Sequence, residues 1–182
     1  MTTEYQHQHL DLVERSKAGE RDAQYALYKQ YSNGMFSIAN RMMNSREEAE
    51  DMIQEAFTYV FMKLHTFRNE SSIGAWIKRI VVNQCINELK RKRIALSFEE
   101  SIEKYDLADD NETAESQYSV ENIKEALNAL PDGYRVITSL YLFEGYDHSE
   151  ISQILNISES TSKSQYHRAK KKMNELINAQ VL

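Results

Sequence analysis

Residues that interrupt helices are scarce throughout this chain. Its 182 residues include one proline and five glycines, whereas good helix formers such as Leu, Ala, Glu and Lys are abundant. No sustained alternation of apolar and polar residues marks a strand. The sequence therefore predicts an all-α protein whose helices are delimited by a small number of caps and turns.

The acidic residues are concentrated in one stretch of the chain. The formal net charge is −6, but residues 99–121 alone hold nine Asp or Glu side chains against the single base Lys104. The remainder is therefore slightly basic, which the whole-chain charge conceals. Because helical periodicity also fades over 94–118, we interpret this segment as an acidic linker between two small helical domains, 1–93 and 119–182.

The composition argues against several classes of site. Cys85 is the only cysteine, so an internal disulfide or a cysteine-rich metal site is excluded. His7 and His9 lack a carboxylate or thiol at ligand spacing, which favours a polar terminus over a metal site. No stretch approaches 18 apolar residues, and the N-terminus lacks the apolar run of a signal peptide. We expect no metal, no cofactor, no membrane insertion and a cytoplasmic location.

Residues 46–65 predict a sharply amphipathic helix that begins with a capping box of Ser45 and Glu48. Its apolar side chains are spaced for one buried face, formed by Ile53, Phe57, Val60, Phe61 and Leu64. A different face carries the polar side chains of Asp51, Gln54, Glu55 and Thr58. The residues alone leave two interpretations of this polar face: a solvated surface, or a docking surface for a basic helical partner.

A loop at 66–74 precedes a second amphipathic helix, which begins near Gly74 and continues to residue 93. At 100° per residue, one arc of this helix holds Ile77, Val81, Val82, Cys85 and Leu89. Another arc holds Trp76, Arg79, Asn83, Asn87 and Lys90. A basic and amide stripe headed by an aromatic ring suits single-stranded nucleic acid. A core tryptophan on a solvated basic helix fits the same spacing.

Helical periodicity returns after the linker, from Val120 onwards. Residues 131–133 predict a turn, because proline, aspartate and glycine follow one another there. A strongly apolar helix is then expected from Tyr134 to Leu142, with Gly145 as its C-cap.

Residues 145–173 predict two short helices joined by a tight turn. The first helix is expected at about His148–Leu155, with Asp147 as its N-cap and Glu150 completing a capping box. Ser158 is expected to cap the second helix.

The second of these helices has an inward and an outward side. Helical spacing directs four side chains inward: Ser162, Tyr166, Ala169 and Met173. The outward side comprises Lys163, Ser164, His167, Arg168 and Lys171. Residues 163–172 hold five Lys or Arg and no acid. This is the form of a helix-turn-helix DNA reader, although a solvated hairpin in an ordinary bundle has the same periodicity.

These motifs occur in an order that resembles the sigma-70 family of bacterial RNA polymerase sigma factors. Three segments before the linker carry the resemblance: DAQYALYKQY, SREEAEDMIQEAF and GAWIKRIVVNQCINELKRKR. After the linker it continues through ALNALPDGYRVITSLYLFEGYDHSEISQILNISESTSKSQYHRAKKKM. The chain looks like the extracytoplasmic-function (ECF) group, which keeps only the family's second and fourth conserved regions. The resemblance extends from about residue 20 to residue 176.

The resemblance implies a role for each polar surface. Three residues match the segment that docks on the clamp helices of the polymerase beta-prime subunit: Asp51, Gln54 and Glu55. The loop and helix that recognise −10 promoter DNA match Arg68, Asn69, Trp76, Arg79, Asn83, Asn87 and Lys90. The −35 element is assigned to Ser158, Lys163, Ser164, His167, Arg168 and Lys171. The implied partners are core polymerase, including its beta flap, promoter DNA and, as in many relatives, an anti-sigma protein.

Two positions depart from the family pattern. Ile73 stands where an aromatic residue is common before the tryptophan, and Ser162 stands at a usually larger apolar position. The implied function is promoter recognition and opening. No glycine-rich nucleotide loop or nucleophile with a base points to an enzyme. Two alternatives are a helix-turn-helix regulator that is not a polymerase subunit, and a protein-interaction adaptor.

Overall fold

A computed structural model describes residues 11–92 and 119–180 of the chain. The regular structure in these two ranges is helical throughout, which confirms the predicted all-α class. The chain divides into two compact units, Met1–Arg91 and Lys92–Leu182. The interpretations of residues 94–118 as a linker and of His7 and His9 as part of a polar terminus lie outside the described residues.

From residue 11 onwards, the first unit contains four helices and one 3-10 turn. In chain order these are α1 (11–17), α2 (Arg21–Met43), α3 (Arg46–Lys63), the turn Leu64–Thr66 and α4 (Ile73–Arg91). Asn44 ends α2 in the left-handed conformation at φ 56°, which asparagine tolerates better than most residues. Ser45 then begins α3, because its side chain accepts a hydrogen bond from the Glu48 backbone N–H.

The core of the first unit lies where α2, α3 and α4 pack together. Leu27, Met42, Val60 and Ile77 are fully buried there. The apolar arc predicted for α4 is buried along its length, including Cys85. Burial raises the pKa of the Cys85 thiol to about 12, so it remains a neutral core side chain at physiological pH.

Close packing at the start of α4 depends on Gly74. A Cβ atom on this residue would lie 2.9 Å from Cε1 of Tyr31 on α2, which is shorter than a normal contact. The glycine therefore lets the first turn of α4 approach the Tyr31 ring.

The second unit contains α5 (Val120–Asn128), α6 (Asp132–Thr138), α7 (His148–Leu155) and α8 (Glu159–Gln180). The long helix α8 packs against the other three. One apolar cluster consists of Leu127, Leu130, Ala169 and Met173. Ile151 and Leu155 of α7 are also buried. The predicted bounds of α7 are confirmed, and so is its capping box between Asp147 and Glu150.

The segment after Pro131 differs from the prediction. Helix α6 begins at Asp132, so Gly133 lies inside its first turn and not in a free turn. After Thr138 the backbone widens into a π turn, Ser139–Phe143, before Gly145 ends the segment at φ 74°. The π turn leaves Leu142 exposed, whereas the uniform helix predicted over 134–142 would have placed it in the apolar face, and Phe143 is exposed as well.

Candidate nucleic-acid interface and docking surface

The polar face predicted for α3 is present on the surface of the first unit. Asp51, Gln54 and Glu55 are all exposed, whereas Ile53 and Phe57 beside them are buried. The buried pair fixes the rotation of α3, because apolar side chains at this spacing hold one face of the helix against the core. The three polar side chains therefore share one accessible patch, which we call the α3 polar face.

A cleft of about 320 Å³ between α2 and α3 adjoins this face, and Gln54 forms part of its lining. One wall is aromatic, because Tyr28 and Phe36 contribute their rings to it. Another wall is polar and carries the ion pair between Arg46 and Glu50, whose Nε and Oε1 atoms are 2.9 Å apart. The α3 polar face thus borders a depression that offers both apolar and charged contacts.

The polar stripe predicted for α4 lies on the surface opposite its buried arc. Arg79, Asn83, Asn87 and Lys90 are exposed. They recur at intervals of three or four residues, so their side chains form a row along one side of the helix. We call these four residues the α4 stripe. They combine two cations with two amides, which suits contact with phosphates and base edges.

Trp76, at the head of the α4 stripe, is partly a packing residue. Its ring centroid lies 5.5 Å from that of Phe67, and the two ring planes are inclined by 46°. Phe67 is buried, and Lys17 Nζ of α1 lies 5.7 Å from its ring centroid. Trp76 itself is half-buried. Trp76 therefore packs in part against Phe67 while another part of its side chain is accessible, and its contact with nucleic acid stays a prediction.

The loop that precedes α4 continues from this aromatic contact. Arg68 and Asn69 directly follow Phe67 and are exposed. Asn69 has a φ of 59°, a left-handed conformation that marks a local turn. Ser72 ends the loop by accepting a hydrogen bond from the Ala75 backbone N–H at 3.2 Å. The loop residues and the head of the α4 stripe are thus joined through the Phe67–Trp76 contact.

The outward side of α8 is more closely tied to its own helix than the α4 stripe is. Lys163 is exposed, and its Nζ lies 2.7 Å from Oε1 of Glu159 in an ion pair. Ser164 is half-buried and donates its hydroxyl to the Thr161 backbone carbonyl at 3.1 Å. His167 and Arg168 are also half-buried, whereas Lys171 is exposed.

The start of α8 is held by Ser158, as the sequence predicted. Its Oγ accepts a hydrogen bond from the Thr161 backbone N–H at 3.0 Å. The same oxygen lies 2.8 Å from Ser160 Oγ and 2.7 Å from Thr161 Oγ1. Ser158 is thus the cap of α8 and the centre of a small hydroxyl network, which fixes where the helix begins.

The inward side of α8 is more polar than the apolar pattern suggested. Ser162 is buried, as predicted, and so are Ala169 and Met173, whereas Tyr166 is half-buried. Gln165 is only 1% exposed, although the sequence analysis did not place it inward. Its burial follows from its position three residues after Ser162, on the same side of the helix.

Ser162 meets a partner across the helix pair. A hydrogen bond of 2.9 Å joins Ser162 Oγ to Nδ1 of His148, the first residue of α7. The imidazole stacks on Tyr141, with ring centroids 4.6 Å apart and planes inclined by 14°. His148 was predicted from the sequence only as the first residue of α7, with no role of its own. A hydroxyl at a position expected to be buried could have signalled it, because buried polar groups need a partner.

The described ranges, 11–92 and 119–180, contain no cluster of three His, Cys, Asp or Glu side chains suited to hold a metal ion. Over the same ranges, no helix combines the length and the apolar character needed to span a membrane.

Two protein-family models match the chain in the segments that carry these surfaces. Residues 27–94 match the model described as Sigma-70 region 2. Residues 121–173 match the model described as Sigma-70, region 4. Together the two matches span about two thirds of the chain, and they include the α3 polar face, the α4 stripe and α8 as far as residue 173.

Characterised relatives align over almost the full length. The chain is 26% identical over 174 residues to the ECF RNA polymerase sigma factor SigW of Bacillus subtilis, covering 90% of this chain and 93% of that protein. It is 26% identical to the ECF RNA polymerase sigma factor SigM of Mycobacterium tuberculosis, covering 92% of this chain and 83% of that protein. It is 27% identical to the ECF RNA polymerase sigma-E factor of Haemophilus influenzae, covering 91% of this chain and 93% of that protein.

Two solved structures share the fold. RpoE of Bartonella quintana, in complex with the anti-sigma factor NepR, gives a TM-score of 0.57 at 19% identity, covering 85% of this chain and 96% of that one. CnrH, in complex with the cytosolic domain of CnrY, gives a TM-score of 0.55 at 20% identity, covering 92% of this chain and 96% of that one.

The two helical units, with a helix-turn-helix in the second, define a transcription factor of the sigma type. The chain belongs to the sigma-70 family and, within it, to the ECF group. Its function is that of a sigma factor that acts with RNA polymerase in transcription initiation.

Proposed function

We propose that this sigma factor docks on core RNA polymerase through residues 1–93, which also bind the opened −10 element, and reads the −35 element through residues 119–182. The acidic segment 94–118 joins the two parts. One observation carries the proposal: each unit exposes a basic and polar helix face directly opposite a buried face. Two such faces on one chain suit a factor that contacts two separate promoter elements.

Docking is assigned to the α3 polar face. Asp51 and Glu55 present two carboxylates, and Gln54 presents an amide at the edge of the cleft. Such a face is complementary to a helical partner with basic side chains, and the aromatic wall of the cleft adds apolar contact area. The beta-prime clamp helices are the proposed partner.

Promoter opening is assigned to the loop residues Arg68 and Asn69, together with Trp76 and the α4 stripe. Unpaired bases offer aromatic faces for stacking and free Watson–Crick edges for hydrogen bonds, whereas in a duplex the faces are stacked on neighbouring bases and those edges are paired. A surface that binds only the unpaired form stabilises the opened DNA, because any ligand shifts an equilibrium towards the state that it binds.

Duplex recognition is assigned to the outward side of α8. The proposed contacts come from Ser158, Lys163, Ser164, His167, Arg168 and Lys171. A helix fits the major groove, where the four base pairs present different donors and acceptors. The cationic side chains also bind phosphates, which positions the helix without reading sequence. The same unit is the proposed partner of the beta flap.

This function requires no chemical step by the sigma factor itself, since polymerase makes the RNA. We propose accordingly that the protein is not an enzyme and that it works in the bacterial cytoplasm, where the polymerase and the promoter are found. An anti-sigma protein is a further proposed partner. Its test is recovery of a bound protein from the native cell that then reduces binding of the sigma factor to core polymerase.

The decisive experiment adds the purified full chain to sigma-free core polymerase and a library of promoter sequences. We expect initiation from a subset of sequences that share two elements, with no such selection by core alone. Duplex binding without any effect on initiation would indicate a helix-turn-helix regulator. Binding to neither core nor DNA would indicate an interaction adaptor. Either of the last two results would overturn the proposal.

A further inference from the structure

The hydrogen bond between His148 and Ser162 links the two helices of the helix-turn-helix directly. The residues are 14 positions apart in sequence, yet Nδ1 and Oγ are 2.9 Å from each other. Ser162 is completely buried. Its hydroxyl thus contributes an interhelical contact of defined direction at a site where an apolar side chain would provide only volume.

The imidazole is held by more than this one bond. It stacks on Tyr141 of the π turn, and its centroid lies 5.7 Å from that of Tyr166 on α8. Tyr141 and Tyr166 are themselves 4.5 Å apart between centroids. Three rings from three successive elements therefore surround the hydrogen bond. Asp147 and its capping box fix the backbone of His148 at the start of α7.

We propose that His148 and Ser162 are positioning residues for DNA recognition, which set the rotation of α8 so that Lys163 and Ser164 face the duplex. The proposal rests on the proposed function of α8 as the −35 reader. Lys163 and Ser164 directly follow Ser162 in the helix, so the direction in which Ser162 is held determines theirs. Neither His148 nor Ser162 is assigned a contact with DNA.

The charge state of His148 provides a second way to test the proposal, by changing the pH. Burial, followed by the positive charge of Lys163, lowers the pKa of the imidazole, and the weaker effects of Glu159 and Asp147 oppose this. The remaining titratable groups against the ring are the phenols of Tyr141 and Tyr166. A neutral imidazole can accept or donate through Nδ1, but the protonated ring only donates and repels Lys163.

The direction of the pH effect follows from this lowered pKa. The unfolded chain binds the His148 proton more readily than the folded chain, so the contribution of this group to stability is complete above the ordinary pKa of 6.5. It declines as the pH falls through that value. We expect −35 discrimination to decline as the pH falls below 6.5 and His148 of the folded chain becomes protonated, because the neutral arrangement is the one that holds α8.

The experiment measures −35 discrimination by holoenzyme assembled from the full chain and core polymerase. Discrimination is the ratio of affinities for a promoter and for the same promoter with one substituted −35 base pair. The variants are Ser162→Ala, His148→Phe, which retains a stacking ring, and the double variant. Ser152→Ala is the matched control, because Ser152 on α7 donates its hydroxyl within its own helix, to the Ser149 carbonyl.

We expect each single variant to lose roughly fivefold in discrimination, the scale of one net hydrogen bond. The double variant should lose no more than the worse single variant, because both changes remove the same contact. Ser152→Ala should retain discrimination. Lowering the pH from about 8 to about 5.5 should reduce discrimination by the unmodified chain and have a smaller effect on His148→Phe.

Different outcomes identify different errors. If Lys163→Ala relaxes −35 preference while Ser162→Ala and His148→Phe do not, α8 is the reader and the positioning proposal is wrong. If Lys163→Ala changes neither −35 preference nor affinity for the promoter, the assigned function of α8 fails, and the positioning proposal fails with it. Additive losses in the double variant would also overturn the proposal. If a variant does not fold, the pH profile of the unmodified chain decides, with protonation of the His148 ring followed by NMR. Discrimination that stays constant while the ring takes up its proton contradicts a role for His148.

Discussion

The α4 stripe and the outward side of α8 are similar exposed surfaces, but the buried sides of the two helices differ. Beneath the α4 stripe, the opposite side of the helix is apolar, with Ile77, Val81 and Val82 in the core. Beneath the outward side of α8, Ser162 and Gln165 are polar and buried. Both helices expose cations and amides or hydroxyls, but only α8 depends on polar contacts below its exposed face.

This difference has a physical consequence. Apolar packing is non-directional, so it stabilises α4 in proportion to the area buried and tolerates small rotations. A hydrogen bond requires both a distance and an angle, so it stabilises one rotation of α8 over its neighbours. We therefore expect substitutions in the buried apolar side of α4 to reduce stability. Substitutions of the buried polar residues of α8 should reduce discrimination between promoters.

The largest expected effect comes from removing apolar volume beneath the α4 stripe. Ile77→Ala should lower the free energy of unfolding of the first unit by about 2–5 kcal/mol, because the site is fully buried and a cavity remains. Denaturant unfolding followed by the fluorescence of Trp76, the only tryptophan, measures this unit. Asn83→Ala on the exposed side of the same helix is the control, with an expected change within about 0.5 kcal/mol. Equal losses of unfolding free energy in Ile77→Ala and Asn83→Ala would contradict stabilisation of α4 by its buried apolar side.

The next effect concerns the α3 polar face, which neither DNA surface includes. Replacing Asp51 and Glu55 together by Lys should weaken binding to core polymerase roughly 30-fold, because like charges would meet basic partner side chains. Fluorescence titration of labelled sigma factor with core polymerase measures the change. Asp11→Lys with Asp22→Lys, two exposed acids on α1 and α2, is the control with the same change in charge. Unchanged affinity for core, in a variant whose helix content is retained, would remove α3 from the docking surface.

A smaller effect is expected for the amides of the α4 stripe. Asn83→Ala with Asn87→Ala should reduce transcription from duplex promoters roughly tenfold, because contacts with opened bases are lost while the fold is retained. A promoter with a pre-opened −10 bubble should recover part of the activity, since opening no longer has to be driven by binding. Permanganate footprinting measures opening directly. Normal footprints in the double variant would show that these amides act at a different step.

The smallest effect is expected on the outward side of α8. Lys163→Ala should relax preference at one −35 position by about 1 kcal/mol, close to fivefold, if this side chain reaches a base edge. Lys172→Ala is the matched control, because Lys172 is exposed on the same helix and lies 3.3 Å from Glu175. That control should at most weaken binding uniformly across sequences. Selection of −35 variants by each holoenzyme distinguishes a base contact from a phosphate contact. If the Lys163→Ala and Lys172→Ala holoenzymes select the same −35 sequences, Lys163 contacts phosphate.

The sequence predicted most reliably where one periodicity governed a whole helix. The buried arc and the exposed stripe of α4 follow directly from 100° per residue, since nothing in this helix interrupts its geometry. The bounds of α7 were equally predictable, because Asp147 and Glu150 form a capping box at one end and Asn156 adopts a left-handed conformation at the other. Local signals of this kind do not depend on the rest of the fold.

The sequence predicted poorly where a contact joins distant residues or where the helical geometry changes. The bond between His148 and Ser162 depends on how α7 and α8 pack, which no local pattern encodes. Tyr141 and Leu142 were assigned to an apolar helix, but a wider turn moved both to the surface. Trp76 was predicted to bind nucleic acid or to pack. Its contact with Phe67 emerges only once the loop before α4 is folded.

The π turn at Ser139–Phe143 has a consequence for chain length. The Glu144 N–H donates to Ser139 O, five residues back instead of the four of an α-helix, so the segment holds one residue more than an α-helix would need. That inserted residue shifts the phase of the helix by about 100°. Deleting one residue here would leave composition and hydrophobicity almost unchanged, yet it would turn Tyr141 away from His148. The recognition unit is therefore specified partly by the number of residues between α6 and α7, independently of their chemistry.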